Sequence, residues 1–224
     1  MTTRGTHTSP WSAVLCDLDN VIRFYDQTHV NALERRAGLT EGTTAGIAFA
    51  PEVDGPLVLG RITTDQWVES IARALESHVS PSQARELGTA FVHVPFHADA
   101  VVVALLRQAR KHVPLVLVTN ATLDLERDLE SLGLTDLADH VVSSARVGLA
   151  KPDRAIYELA AERAGVATDR CLFVDDRLEN VAAAIDLGMT GVHYRGPEDL
   201  EAALAPVLGL VAEPAPGKEP AKRR

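Results

Sequence analysis

The chain has 224 residues, enough for one α/β domain with a large insertion and a core that folds unaided. A formal net charge of −9 argues against a nucleic-acid partner, because a phosphate backbone would be repelled. No apolar run approaches the ~20 residues that cross a bilayer, and Met1 to Pro10 lacks the apolar stretch of a secretory signal. These absences and only two cysteines, Cys16 and Cys171, both inside predicted strands, give the cytoplasm as the expected compartment.

Residues 1–10 read as a tail. Ala13-Val14-Leu15-Cys16 is a short aliphatic run ended by Asp17-Leu18-Asp19-Asn20, the pattern of a strand buried on both faces. A long insertion follows, over 26–97, with helical periodicity and no strong strand signal. Asn31 to Ala37 reads as part of one helix. A better one covers 64–75, with Thr64 as its candidate N-cap and Trp67, Ile71, Ala74 and Leu75 on one face. Ser80-Pro81 opens another, with proline at the first helical position. His93 and His97 straddle Pro95, which interrupts any continuous helix, so they read as hinge or surface residues.

From Asp99 onward strands and helices alternate. A helix over 99–111 precedes a strand over 115–119, and a helix over 124–132 precedes a short strand over 141–143. A helix over 153–164 precedes a strand over 171–175, and a helix over 178–187 precedes a strand over 191–194. Gly133, Gly165 and Gly188 close three of these helices, since glycine takes the left-handed conformation cheaply. Strands separated by helices pair in parallel through right-handed crossovers. The expected fold is α/β: a doubly wound five-stranded parallel sheet from 11–25 and 98–211. An α-helical cap is inserted at 26–97, and 212–224 forms a Pro- and charge-rich second tail.

Ligands in open α/β sheets bind beyond the carboxyl ends of the strands. Three predicted strands end there in polar residues: Asp17 to Asn20, Thr119-Asn120 and Asp175-Asp176. Asp17 and Asp19 make sense as a nucleophile paired with a general acid/base, splitting a hard displacement at phosphorus into two easier ones. A phosphate ester is itself an anion, so cations must offset both parties. Asp175 and Asp176, joined by Asp17, offer the hard oxygen ligands that Mg²⁺ prefers. Lys151, before Pro152, supplies a positive charge, and Thr119 and Asn120 offer a hydroxyl, an amide and backbone N–H groups to phosphoryl oxygens. Arg23, just past the first segment, reads as a solvated arginine, with contact to a substrate as the alternative.

The ordered set Asp-x-Asp, Thr, Lys-Pro and Asp-Asp resembles the haloacid dehalogenase-like (HAD) hydrolase superfamily, subfamily I with a helical cap. Gly148-Leu149-Ala150-Lys151-Pro152-Asp153 and Phe173-Val174-Asp175-Asp176-Arg177-Leu178-Glu179-Asn180-Val181 resemble its third and fourth motifs. Gly60 to Trp67 is similar to the cap of small sugar-phosphate phosphatases and of the N-terminal phosphatase domain of soluble epoxide hydrolases. The resemblance implies Asp17 as nucleophile, Asp19 as acid/base with its backbone carbonyl on Mg²⁺, and Asp176 as direct carboxylate ligand, with Asp175 acting directly or through water. It implies an Mg²⁺-dependent phosphatase acting on a small phosphorylated metabolite, through an aspartyl-phosphate intermediate, in a monomer or homodimer.

Two positions depart from the pattern: Asn20 stands where glycine is usual and Val21 where threonine is common. Asparagine is the next most tolerant residue of positive φ, so the turn is expected to survive. The superfamily's dehalogenases lack the second aspartate, and Asp19 therefore favours phosphate esters. A 2-haloacid dehalogenase and a non-catalytic binder of phosphorylated ligands are the alternatives. A receiver domain has its acidic pair at strand one only and no such insertion, and a dinucleotide-binding fold needs a Gly-x-Gly-x-x-Gly after Cys16 that is absent.

Overall fold

The structure is a computed structural model that describes residues 10–209, so the expected tails lie outside the described residues apart from Pro10. Ala13–Cys16 forms the first strand, β1, with all four residues buried. Beyond the turn at 17–22 comes a strand the sequence did not announce, Arg23–Tyr25 (β2). Five helices follow: Thr28–Arg36 (α1), Thr43–Ala48 (α2), Pro51–Val58 (α3), Thr64–Leu75 (α4) and Pro81–Val92 (α5). Phe96–Ala98 (β3) then pairs antiparallel with β2, so a two-stranded ribbon flanks the insertion at its neck, β2 just before it and β3 across its end. Three-residue strands leave no periodicity to read, which is why both escape the pattern.

The rest alternates as expected: Ala100–Ala109 (α6), Leu115–Thr119 (β4), Leu125–Ser131 (α7), His140–Ser143 (β5), Ser144–Val147 (α8), Arg154–Ala164 (α9), Cys171–Asp175 (β6), Leu178–Asp186 (α10) and Thr190–His193 (β7). A last helix, Pro197–Leu208 (α11), was not foreseen, although Leu200 and Leu204 are spaced one helical turn apart and both are buried. Gly133, Gly165 and Gly188 take φ of 67°, 72° and 86°, as helix-ending glycines should. No helix of the described residues is long and apolar enough to cross a membrane.

The sheet is five-stranded and parallel, in the order β5-β4-β1-β6-β7. Alternation in β1 feeds two separate cores. Val14 and Cys16 join Leu115, Leu117, Leu172 and Val174 on one face. Ala13 and Leu15 join Val116, Val118 and Phe173 on the other. Cys16 and Cys171 are buried and unlinked, as expected for small hydrophobes. The central strand therefore has a neighbour on each side, and its carboxyl end lies between those of β4 and β6.

Helices α1–α5 gather around a third cluster that includes Val30, Leu33, Trp67, Ile71, Leu75 and Phe91. The N-cap of α4 is Thr63, not Thr64. Thr63 Oγ1 accepts from the Gln66 N–H while Gln66 Oε1 accepts from the Thr63 N–H, a reciprocal box unavailable to Thr64. The buried face of α4 is Trp67, Val68, Ile71, Ala72 and Leu75, with Ala74 at its margin. Thr64 is free for another contact: its hydroxyl donates to Asp124 Oδ2 at 2.6 Å, tying α4 to the start of α7. Gly60 makes a second contact with the sheet domain.

At Gly60, φ is +67°, and an added Cβ would lie 2.3 Å from the Ala145 carbonyl oxygen. Gly38 has a similar φ of +76° with nothing within 4 Å of such an atom. Gly38→Ala is expected to cost about 1–2 kcal/mol, the penalty of a left-handed L-residue. Gly60→Ala is expected to cost clearly more, because the backbone contact must also open. Urea midpoints measure both, and equal losses would show that the insertion does not press on α8 at this point.

Candidate active site

The β1 turn builds the first part of the site. Asp17 takes its position from its backbone N–H, which donates to the Val174 carbonyl at 2.9 Å, so β1 is registered on β6 one residue beyond its last strand pair. Asn20 adopts φ of 59°, the left-handed conformation expected of it. Its side chain adds something a glycine would not: Nδ2 donates to Asp176 Oδ2 at 3.0 Å, across the two strand ends.

Lys151 is the cation at the centre. It is 5% exposed, and Nζ lies 2.7 Å from both Asp17 Oδ1 and Asp175 Oδ2. Burial lowers its affinity for the proton, and the two carboxylates more than reverse that, so it stays charged. The loop that carries it is held from β4: Asn120 Nδ2 donates to the Lys151 carbonyl at 2.9 Å, and the Lys151 N–H donates to Asn120 Oδ1 at 2.8 Å. The Asn120 amide is thus a bracket for the lysine, which removes it from the donors expected to face phosphoryl oxygens. Thr119 beside it is 1% exposed, and its Oγ1 has no hydrogen-bond partner among the described residues. A buried hydroxyl with no partner loses a hydrogen bond to water for nothing unless a ligand restores it.

Asp175 is fully buried and saturated with donors. Its Oδ1 accepts from the Arg177 N–H and from Asn180, and its Oδ2 from Lys151 and Asn180. Asn180, within the fourth-motif segment, lies on α10, where a position five residues on from Asp175 can fold back, a role that the motif pattern alone does not assign. Asp17, Asp175 and Asp176 place carboxylate oxygens within 4.8 Å of one another. Burial raises the Asp176 pKa, Asn20 lowers it, and the charge of Asp175 adds to the rise. Hard oxygen donors, with no imidazole or thiolate among them, suit a divalent cation such as Mg²⁺.

Asp19 does not join that cluster. Its carboxylate accepts from Arg23 Nε at 2.6 Å and Nη2 at 3.0 Å, and from the Tyr25 hydroxyl at 3.0 Å. Arg23 is accordingly not solvated: it is 4% exposed, contrary to the sequence expectation. Its single position after the motif gave no signal, because the partners that bury it come from β2, β3 and α7. On the insertion side, burial pushes the Asp54 carboxyl of α3 up to about 6, opposed by the charge of Arg177.

The model of haloacid dehalogenase-like hydrolases matches residues 11–188. The chain belongs to that family. A phosphatase of Mycobacterium tuberculosis, MT3486, is 32% identical over 196 residues, spanning 80% of this chain and 84% of the relative. An (S)-2-haloacid dehalogenase of Pseudomonas putida, H-109, is 29% identical over 126 residues, 56% of each chain. The wild-type HAD family enzyme bt-2542 of Bacteroides thetaiotaomicron, solved with magnesium and inorganic phosphate, superposes with a TM-score of 0.59 at 19% identity. That alignment covers 80% of this chain and 92% of the other. The five-stranded core is thus that of a HAD-like hydrolase.

Without a cation, the Asp17 carboxyl is pushed from its ordinary 3.8 to about 8; burial is the main cause, Lys151 opposes it, and the charges of Asp175 and Asp19 add to it. Between those values the native state binds more protons than the unfolded one, so stability falls as pH rises through that window. A divalent cation displaces that proton, so its stabilising effect must grow with pH over the same range. The melting temperature with Mg²⁺ minus that in chelator is expected to widen from about pH 5 to about pH 8 and then level off. A difference independent of pH, or no difference, contradicts the placement of the cation among these carboxylates.

Proposed function

We propose that this HAD-like hydrolase is a Mg²⁺-dependent phosphatase of small phosphomonoesters, working through an aspartyl-phosphate on Asp17. The observation that carries the reading is the buried lysine shared by two carboxylates, beside a third carboxylate and the unpartnered Thr119 hydroxyl. An assembly of that kind holds anionic oxygens on one side and a cation on the other. The phosphatase relative supports it, and the bound magnesium and phosphate of the B. thetaiotaomicron enzyme are consistent with it.

Asp17 Oδ1 is held by Lys151 Nζ and by the Leu18 N–H at 2.8 Å, which leaves Oδ2 to attack phosphorus. The new bond joins Oδ2 to phosphorus, the bond to the leaving oxygen breaks, and Asp19 delivers the proton that oxygen needs. Asp19 then accepts a proton from water as the water oxygen attacks phosphorus, releasing inorganic phosphate and restoring Asp17. The Thr119 hydroxyl, the backbone N–H of Asn120 and Lys151 bind the phosphoryl oxygens. Asp17 and Asp176 and the Asp19 carbonyl would hold Mg²⁺, with Asp175 orienting Lys151 and reaching the cation through water. When bound, the cation neutralises charge on the phosphoryl group and on the attacking carboxylate.

Residues 26–97 serve as the cap that selects the substrate, closing on a metabolite rather than on a phosphorylated protein. Asp19 separates this reading from dehalogenation, since a halide leaves without a proton. Phosphate release from sugar phosphates, nucleotides and phosphopeptides, and halide release from 2-chloropropionate, are the test, all with Mg²⁺ present. Small phosphomonoesters are expected to lead and halide to be absent. Asp17→Asn should stay folded and lose nearly all turnover, and Asp19→Asn should fall by roughly 10²–10⁴-fold. Halide release, or phosphopeptides at the head of the panel, would overturn the assignment.

A further inference from the structure

The acid/base candidate is held by a residue that neither the motifs nor the mechanism above requires. Arg23 grips both oxygens of Asp19, and its third nitrogen, Nη1, donates to Asp128 Oδ2 of α7 at 2.7 Å. Its Cζ stands 5.2 Å from the centroid of Tyr25 on β2 and 5.3 Å from that of Phe96 on β3. Those rings meet edge to face at 6.0 Å across a paired position of the ribbon. The turn between the two ion-paired residues is closed at both ends: the Asn20 N–H donates to the Arg23 carbonyl, and the Arg23 N–H to the Leu18 carbonyl, each at 2.8 Å.

A planar guanidinium flanked by two rings and bonded through three nitrogens has one orientation open to it. An Asp19 side chain bonded to two of those nitrogens and to the Tyr25 hydroxyl is fixed in turn. Stability alone does not call for such an arrangement, because replacing a buried ion pair by apolar side chains is often neutral or favourable. The ribbon that supplies Tyr25 and Phe96 is also the neck through which the chain enters and leaves the helical insertion.

We propose that Arg23 is the positioning residue for Asp19, setting from the neck ribbon where the leaving group receives its proton. The proposal rests on the phosphatase reading and concerns the first chemical step alone. A misplaced acid hurts poor leaving groups most, because good ones depart without help.

The test is kcat/KM for a series of substituted phenyl phosphates, from p-nitrophenyl to p-methoxyphenyl, with Mg²⁺, plotted against the pKa of the leaving phenol. Arg23→Gln is expected to steepen the dependence, losing about tenfold or more on the poorest leaving group beyond its loss on p-nitrophenyl phosphate. Asp19→Asn should steepen it further, and adding Arg23→Gln to Asp19→Asn should change the slope no more, since the two act as one unit. Arg23→Lys should recover part of the loss. A wild type that hydrolyses the series, with an Arg23→Gln protein whose rates fall equally across it, overturns the proposal and leaves the phosphatase reading standing. A wild type inert towards every member overturns both. If Arg23→Gln does not fold, Tyr25→Phe removes one donor to Asp19 without stranding a buried charge. It is expected to steepen the slope in the same sense, and an unchanged slope there also overturns the proposal.

Discussion

Lys151 carries one positive charge into a space holding two acids, Asp17 and Asp175, each with an oxygen 2.7 Å from its Nζ. Removing one partner from a buried pair costs about 3–5 kcal/mol, because the charge left behind has no solvent to turn to. Here acids outnumber the lysine even with the pair intact: Asp17 keeps a proton up to about pH 8, and Asp176 adds a third carboxyl within 4.8 Å. Much of the surrounding structure answers that surplus. Asn180 bonds both oxygens of Asp175, Asn20 bonds Asp176, the Leu18 N–H bonds Asp17, and Asn120 fixes the loop from which the lysine extends. A divalent cation in place of the Asp17 proton would offset that surplus of acid.

The sheet order explains why so few residues suffice. A strand with a neighbour on each side has two other carboxyl ends beside its own, and β1 is that strand, between β4 and β6. Segments 102 residues or more apart in sequence, Asp17 from Thr119 and Asp17 from Asp175, converge by backbone pairing alone. Lys151 comes from a loop rather than a strand end, and it is the one group that needs a dedicated bracket, the Asn120 amide. The strained turn at Asn20 is likewise held by hydrogen bonds at both ends, with the peptide N–H to Arg23 and the amide to Asp176.

Most of this was legible in the chain. Continuous aliphatic runs mark strands buried on two faces, and Gly133, Gly165 and Gly188 mark helix ends because each demands positive φ. The acids and the threonine stood out because they sit at strand ends, and the lysine because Pro152 follows it within Gly148 to Asp153. What could not be read was whatever depends on contacts between distant segments. The three-residue strands β2 and β3 exist only as a pair. Arg23 is buried only because Tyr25, Phe96, Asp19 and Asp128 surround it. The Asn120 amide looked like a free donor until its partner, the Lys151 main chain, was in place. Thr63 and Thr64 compete for one cap, and only the reciprocal bond to Gln66 decides between them.

The account depends most on a covalent bond between Asp17 and phosphorus. The direct measurement is an acid quench of the Asp19→Asn protein during a single turnover of ³²P-labelled p-nitrophenyl phosphate, whose leaving group departs without a proton, followed by peptide mapping. Slow water activation in that variant should let the acyl phosphate accumulate. The label is expected on the peptide containing Asp17, to be lost in hydroxylamine, and to be absent when Asp17→Asn is added. Release of labelled phosphate at the variant's full rate, with none bound to protein at any time, would contradict the account.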